Sequence, residues 1–142
     1  RQMCIRDRSE RTEEESKRAE ESNSCLGQWP VQIKLAPARA AFFDDSELLI
    51  AADCTAYAFA DFHERFMCGR ITLIGCPKLD SVDYSEKLTE IIRNNEIKSI
   101  TVARMEVPCC GGIELAVKKA AAAAGKSLPV EVFTISTRGC IL

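Results

Sequence analysis

From Cys25 onward the chain alternates short apolar runs with stretches of helical periodicity. Trp29-Pro30-Val31-Gln32-Ile33-Lys34-Leu35 alternates apolar and polar residues with period two, which predicts a half-buried strand. Leu48–Ala52 and Ile71–Ile74 are continuous apolar runs, while Ser99–Arg104 and Val130–Ile135 are rich in β-branched residues and bounded by breakers. Runs of this kind suit strands buried on both faces of a parallel sheet. Three helical segments lie between them. Ala56–Phe66 places Phe59, Phe62 and Phe66 at i, i+3 and i+7, and Ser85–Asn94 sets Leu88, Ile91 and Ile92 on one side. Gly112–Ala124 carries Ile113, Val117 and an alanine run, with Gly125 as a natural helix stop.

Strand and helix in repeated alternation are the mark of βαβ crossovers. The expected fold class is α/β: a three-layer sandwich on a mostly parallel sheet of about five strands, flavodoxin-like or similar. Residues 25–142 are expected to form a single domain with cysteines at the carboxyl-terminal edge of the sheet. Residues 1–24 are mostly charged, of mixed sign, and offer no apolar stripe, so a solvated linker or frayed helix is expected there. Residues 1–8 resemble a translated sequencing-adapter remnant. Cys4 is therefore left out of any site, and the natural chain is expected to extend further upstream.

Composition narrows the function classes. The 142 residues carry 19 Lys plus Arg against 21 Asp plus Glu, a formal charge of −2. That near-balance argues against a nucleic-acid binder working through a basic field. No apolar run approaches the length that spans a bilayer, and no export signal opens the chain, so a cytoplasmic protein without a membrane partner is expected. Eight cysteines stand beside one His and one Trp. With 46% hydrophobic residues the core is ample, so a disulfide scaffold is disfavoured relative to reduced thiols.

Four of the cysteines follow predicted strands. Cys54 comes two residues after Ala52, Cys76 follows Ile71–Ile74 in Ile-Gly-Cys-Pro-Lys-Leu-Asp, and Cys109 and Cys110 follow the strand through Arg104. In a parallel sheet these ends share one edge, where open α/β folds bind ligands. Thiolates select zinc or iron–sulfur clusters. Structural zinc sites favour C-x-x-C pairs, and the chain contains none. Helix N-termini after the cysteines are expected to lower their pKa values. Gly111-Gly112 would let backbone N–H groups approach cluster sulfides, with Lys78 and Arg104 as charge partners. Cys54, Cys76, Cys109 and Cys110 are thus the candidate metal ligands, with Gly111 and Gly112 beside them. No catalytic residue is assigned.

The remaining candidates have plainer readings. Cys68 is expected to be a core or surface thiol, and Cys25 and Cys140 incidental, the latter in a loose terminus. His63 is expected to pack or to lie on an exposed helix face rather than catalyse. Trp29 is expected to anchor the core, and Asp53 and Asp80 to cap turns.

Gln28-Trp29-Pro30-Val31-Gln32, Ala51-Ala52-Asp53-Cys54, Phe62-His63, Ile74-Gly75-Cys76-Pro77-Lys78-Leu79-Asp80 and Met105-Glu106-Val107-Pro108-Cys109-Cys110-Gly111-Gly112 together resemble the C-terminal domain of ferredoxin-domain, iron–sulfur cluster-binding proteins of anaerobes. The resemblance covers nearly everything from Gln28 to Ile135. It implies an upstream module with two [4Fe-4S] clusters held by C-x-x-C-x-x-C-x-x-x-C-P runs; this chain has no such run. Cys76 with Cys109-Cys110-Gly111 is also distantly similar to the cysteine motif of heterodisulfide-reductase-type subunits, although the closing C-x-x-C is absent.

The leading expectation is a redox accessory domain of an iron–sulfur protein, the C-terminal part of a ferredoxin-type electron carrier, with a [4Fe-4S] cluster on the four thiols and redox proteins as partners. Two alternatives stay open. One is a thiol-redox enzyme using a low-pKa cysteine or the vicinal Cys109–Cys110 pair. The other is a structural or interaction domain with zinc. No G-x-G-x-x-G, G-x-x-x-x-G-K-[ST], G-x-S-x-G or H-E-x-x-H motif gives local support to nucleotide binding or hydrolysis.

Overall fold

The computed structural model describes residues 23–142, so the expectations for residues 1–22, Cys4 included, lie outside the described residues. Four strands form: β1 (Ser46–Ala52), β2 (Arg70–Gly75), β3 (Ile97–Met105) and β4 (Val130–Ile135). They make one sheet in the order β2-β1-β3-β4, and every neighbouring pair is parallel. Leu48 stands opposite Ile71 and Ile100, and Ile50 opposite Leu73 and Val102. Alternate side chains therefore feed two separate apolar layers.

Four α-helical segments connect the strands: α1 (Thr55–Ala58), α2 (Pro77–Asp80), α3 (Ser85–Asn94) and α4 (Gly111–Ala123). α3 and α4 cover one face, packing Leu88, Ile91, Ile92, Ile113 and Val117 against Leu48, Ile50, Leu73, Ile100 and Val102. Each such side chain contributes roughly 1.5–3 kcal/mol on burial. Asp83 Oδ1, one residue before the N-cap Tyr84, accepts the Ser85 N–H at 2.9 Å at the start of α3. After α4 the chain turns at Gly125, whose φ of +69° is the left-handed conformation expected of a helix stop. The opposite face, with Leu49, Ala51, Ala103 and Met105, is covered by Phe62, Phe66 and Met67. The three-layer α/β expectation holds.

Several expectations change. The sheet has four strands, because Trp29–Leu35 contributes a single bridge, Gln32 to Ile74, and then turns through Leu35 and Ala36 N–H bonds to the Gln32 carbonyl. Trp29 is 74% exposed and anchors no core. The helix expected over Ala56–Phe66 is broken into α1 and a π-helical turn at His63–Met67. The aromatic stripe nonetheless assembles, with Phe59–Phe66 and Phe62–Phe66 centroids 5.6 and 5.3 Å apart and Phe133 at 5.4 Å. Ring packing against the sheet has overridden the regular helical period. Cys140 is buried: its N–H donates to Ser136 Oγ, and Ile141 bridges back to Ile135. Cys25 and Cys68 are not separate thiols but a disulfide.

The strand order places the site. The chain leaves β1 toward β2 through the π-helical face, then crosses back to β3 through α3 on the other face. Connections from β1 and β3 thus depart in opposite directions, which opens a crevice at their carboxyl ends.

Candidate functional site

Cys54 lies just past β1, and Cys109 and Cys110 occupy the 3-10 turn between β3 and α4. These are the two strands that flank the crevice. Cys109 and Cys110 are neighbours in that turn, and both Cys109 and Cys54 bear on the Cys110 thiol. Cys54 and Cys109 are exposed and Cys110 is buried, so the group has a wet mouth and a dry floor.

The expected effect of the helix N-terminus on Cys110 is overturned. Burial pushes its thiol pKa up, the Met105 backbone hydrogen bond works against that, and Cys109 and Cys54 add to the rise. An apolar floor made by Met105, Ile135 and Phe66 outweighs the α4 dipole at this residue.

Cys76 stands one strand over, at the end of β2, half-buried. Its turn is nevertheless locked to the others, since α2 packs against the Pro108–Cys110 turn. A Cβ on Gly112 would meet Pro77 at 3.3 Å, so the room left by this glycine is taken up by α2 rather than left open for a ligand. The nearest atom to a Cβ on Gly111 is Arg104 Nη1 at 3.8 Å, an ordinary contact. Arg104 is an ion-pair partner of Glu114 at 3.4 Å and lies beside the first turn of α4. Lys78 lies in α2 and is exposed.

Beside the thiols is a polar cluster that motif reading does not reveal. Tyr84, 2% exposed, donates its hydroxyl hydrogen to Asp80 Oδ2 and accepts the Cys76 N–H at 2.9 Å. Burial, then the Asp80 carboxylate, push the Tyr84 pKa far up, so the phenol stays neutral. Asp53 Oδ1 is buried with no hydrogen-bond partner among the described residues. Burial and the Asp80 charge raise the Asp53 pKa, while the Gln32 side chain lowers it. In place of the expected turn caps, Asp80 accepts from Tyr84, and Asp53, just past β1, leaves one carboxyl oxygen without a hydrogen-bond partner among the described residues. The only advance signal for Tyr84 was its place one residue before the helix at Ser85.

A groove of about 230 Å³ lies on the α3/α4 side, walled by Pro77, Val82, Tyr84, Gly112 and Leu115. No cysteine lines it, so it is separate from the thiol mouth. Among the described residues, no group of three or more His, Cys, Asp or Glu side chains is placed to share one metal ion. No helix among them is long and apolar enough to cross a membrane. His63 is exposed, and its Nδ1 accepts the Cys25 N–H at 3.1 Å, so it belongs with the disulfide rather than with the strand-end thiols.

The model of the Rossmann-like domain family matches residues 40–142. The chain is also 35% identical over 115 residues to an uncharacterized protein of Archaeoglobus fulgidus, covering 80% of this chain and 81% of that one. No solved structure matches.

Proposed function

Because the chain belongs to the Rossmann-like domain family and carries thiols at the strand ends where such sheets bind ligands, we propose that it is an iron–sulfur redox domain. Cys54, Cys76, Cys109 and Cys110 are the thiolates of a [4Fe-4S] cluster in this reading. The observation that supports it most is the placement of Cys54, Cys109 and Cys110 at the carboxyl ends of the neighbouring strands β1 and β3.

Four soft sulfur donors suit iron or zinc, and a cluster is preferred in this reading because the C-x-x-C pair usual in structural zinc sites does not occur in the chain. A bound cluster would supply one-electron transfer at the sheet rim. The chain's own part is to present two exposed thiols for cluster uptake and to keep water from the buried side of Cys110. Arg104, beside Gly111, sets a positive charge near the net-negative group. Electrons would pass between the exposed rim and redox partner proteins, an upstream ferredoxin module among them.

Anaerobic reconstitution with iron and sulfide tests this. The expected product is brown, retains iron and sulfide after desalting, and loses both in Cys54→Ser and Cys109→Ser variants. A colourless protein that retains no iron would end the proposal.

The adjacency of Cys109 and Cys110 in the Pro108–Cys110 turn favours one second reading, a vicinal dithiol that cycles with its disulfide. Mass-mapped alkylation after mild oxidation separates the two. Joint protection of Cys109 and Cys110, reversed by reductant, supports the dithiol; continued labelling of both removes it.

A further inference from the structure

β2 is an edge strand, yet its outer flank is not bare. The Gln28 side chain donates to the Thr72 carbonyl and accepts the Thr72 N–H at 3.4 Å. Two residues on, Ile74 donates its N–H to the Val31 carbonyl and accepts the Ile33 N–H, each at 2.9 Å. Residues 28–33 thus act as a surrogate strand, half side chain and half backbone, over an edge that would otherwise be open to pairing.

One covalent tie holds this cover at its head. Cys25 is bonded to Cys68, two residues ahead of β2, across a sequence separation of 43. His63 brackets the bond: its ring Nδ1 accepts the Cys25 N–H at 3.1 Å, and its carbonyl accepts the Cys68 N–H at 2.9 Å. The second of these closes the π-helical turn that brings Cys68 round to Cys25. Cys68 is exposed and Cys25 half-buried, so a dithiol in solution can reach the sulfurs. At its other end the cover touches the thiol site, since the Gln32 side chain meets the Asp53 carboxyl beside Cys54.

We propose that Cys25–Cys68 is a redox latch: closed, it holds residues 25–31 on the outer edge of β2, and reduction by a dithiol releases them about the buried Ile33. The thiolate of the reductant attacks one sulfur, the other leaves as thiolate and takes a proton, and the second thiol of the reductant closes its own disulfide. Two electrons and two protons reach the protein, the reductant is oxidised, and the reverse exchange with a disulfide donor closes the latch. Once untied, residues 25–31 are held by the Gln28 and Val31 hydrogen bonds and by the half-buried Leu26, while Ile33 stays anchored in the core; a segment tied so lightly opens locally without global unfolding. The proposal stands independently of what the strand-end thiols hold.

Hydrogen exchange read by mass spectrometry on the full chain, with and without excess dithiothreitol, tests it. Reduction is expected to speed exchange of the peptide containing Thr72 and Ile74 at least tenfold more than it speeds the β3 amides at Ile100–Ala103, which follow global stability. In Cys25→Ser the β2 edge should exchange fast with or without reductant. Verified reduction without faster exchange at β2 would overturn the latch, as would equal acceleration in β3, which marks a global staple. Recovery of Cys25 and Cys68 as free thiols from air-purified protein would also overturn it. The wild-type comparison decides the matter even if the variant fails to fold.

Discussion

A β-carbon on Gly75 would stand 2.7 Å from the Tyr84 hydroxyl oxygen. The ring cannot easily yield, because it is 2% exposed and its hydroxyl is held by both Asp80 and the Cys76 N–H. Gly75→Ala should therefore cost about 1–3 kcal/mol, the range for overpacking a filled interior. Guanidinium denaturation with an unchanged m-value checks it. Tyr84→Phe in the same background should recover part of that loss, since it removes the nearest clashing atom while Cζ at 2.8 Å and Cε2 at 3.1 Å remain. Full additivity of the two substitutions would show that the contact is not felt.

Phe66 is fully buried among Phe59, Phe62 and Phe133 and shares its apolar layer with Cys110. Phe66→Ala should cost about 3–5 kcal/mol. The same cavity should let alkylating reagents reach Cys110 faster while leaving labelling of exposed Cys54 unchanged. Equal Cys110 labelling in both proteins would separate this layer from the floor of the thiol site.

The Cys25–Cys68 bond ties residues 43 apart in sequence. Cross-linking over such a span restricts the unfolded chain by about 4 kcal/mol in the chain-entropy model. Reduction, or the double Cys25→Ser/Cys68→Ser substitution, should lower Tm and leave the α/β circular dichroism intact at low temperature. Equal Tm values with and without reductant would contradict this.

The Lys118 ammonium, 2.9 Å from Glu114, and then Arg104 hold the Glu114 carboxyl below its ordinary value of 4.5. A depressed folded-state pKa gives stability that is present above the unfolded value and is lost as pH falls through the folded one. Because Lys118 is 57% exposed, solvent screens most of the effect. Glu114→Gln should cost at most about 0.5 kcal/mol at neutral pH, and its stability curve should converge with that of the parent in acid. A difference that persists below the folded pKa would point to packing rather than charge.

The strands illustrate how far a one-dimensional pattern reaches. β4 spans Val130–Ile135 as read from its β-branched run, and the helix at Ser85–Asn94 follows from its apolar spacing. Both are local properties, fixed by the pleat and by the helical turn. The carboxyl-end placement of Cys54, Cys76, Cys109 and Cys110 follows from the same reading, because parallel strands share a direction. The Trp29–Leu35 alternation misled for a physical reason. A period of two predicts a pleat only where a sheet edge accepts it, and here Gln28 places its side chain where a strand would place its backbone.

Fold class and the alignment of four thiols along one rim were determined by sequence alone, since residue-scale periodicity and strand direction suffice for both. Only tertiary structure decided that Cys25 meets Cys68, that Tyr84 links Asp80 to Cys76, and that Cys110 is dry while Cys54 is wet. Those pairings join residues from different elements, and no spacing along a chain encodes which layers will close over which side chains.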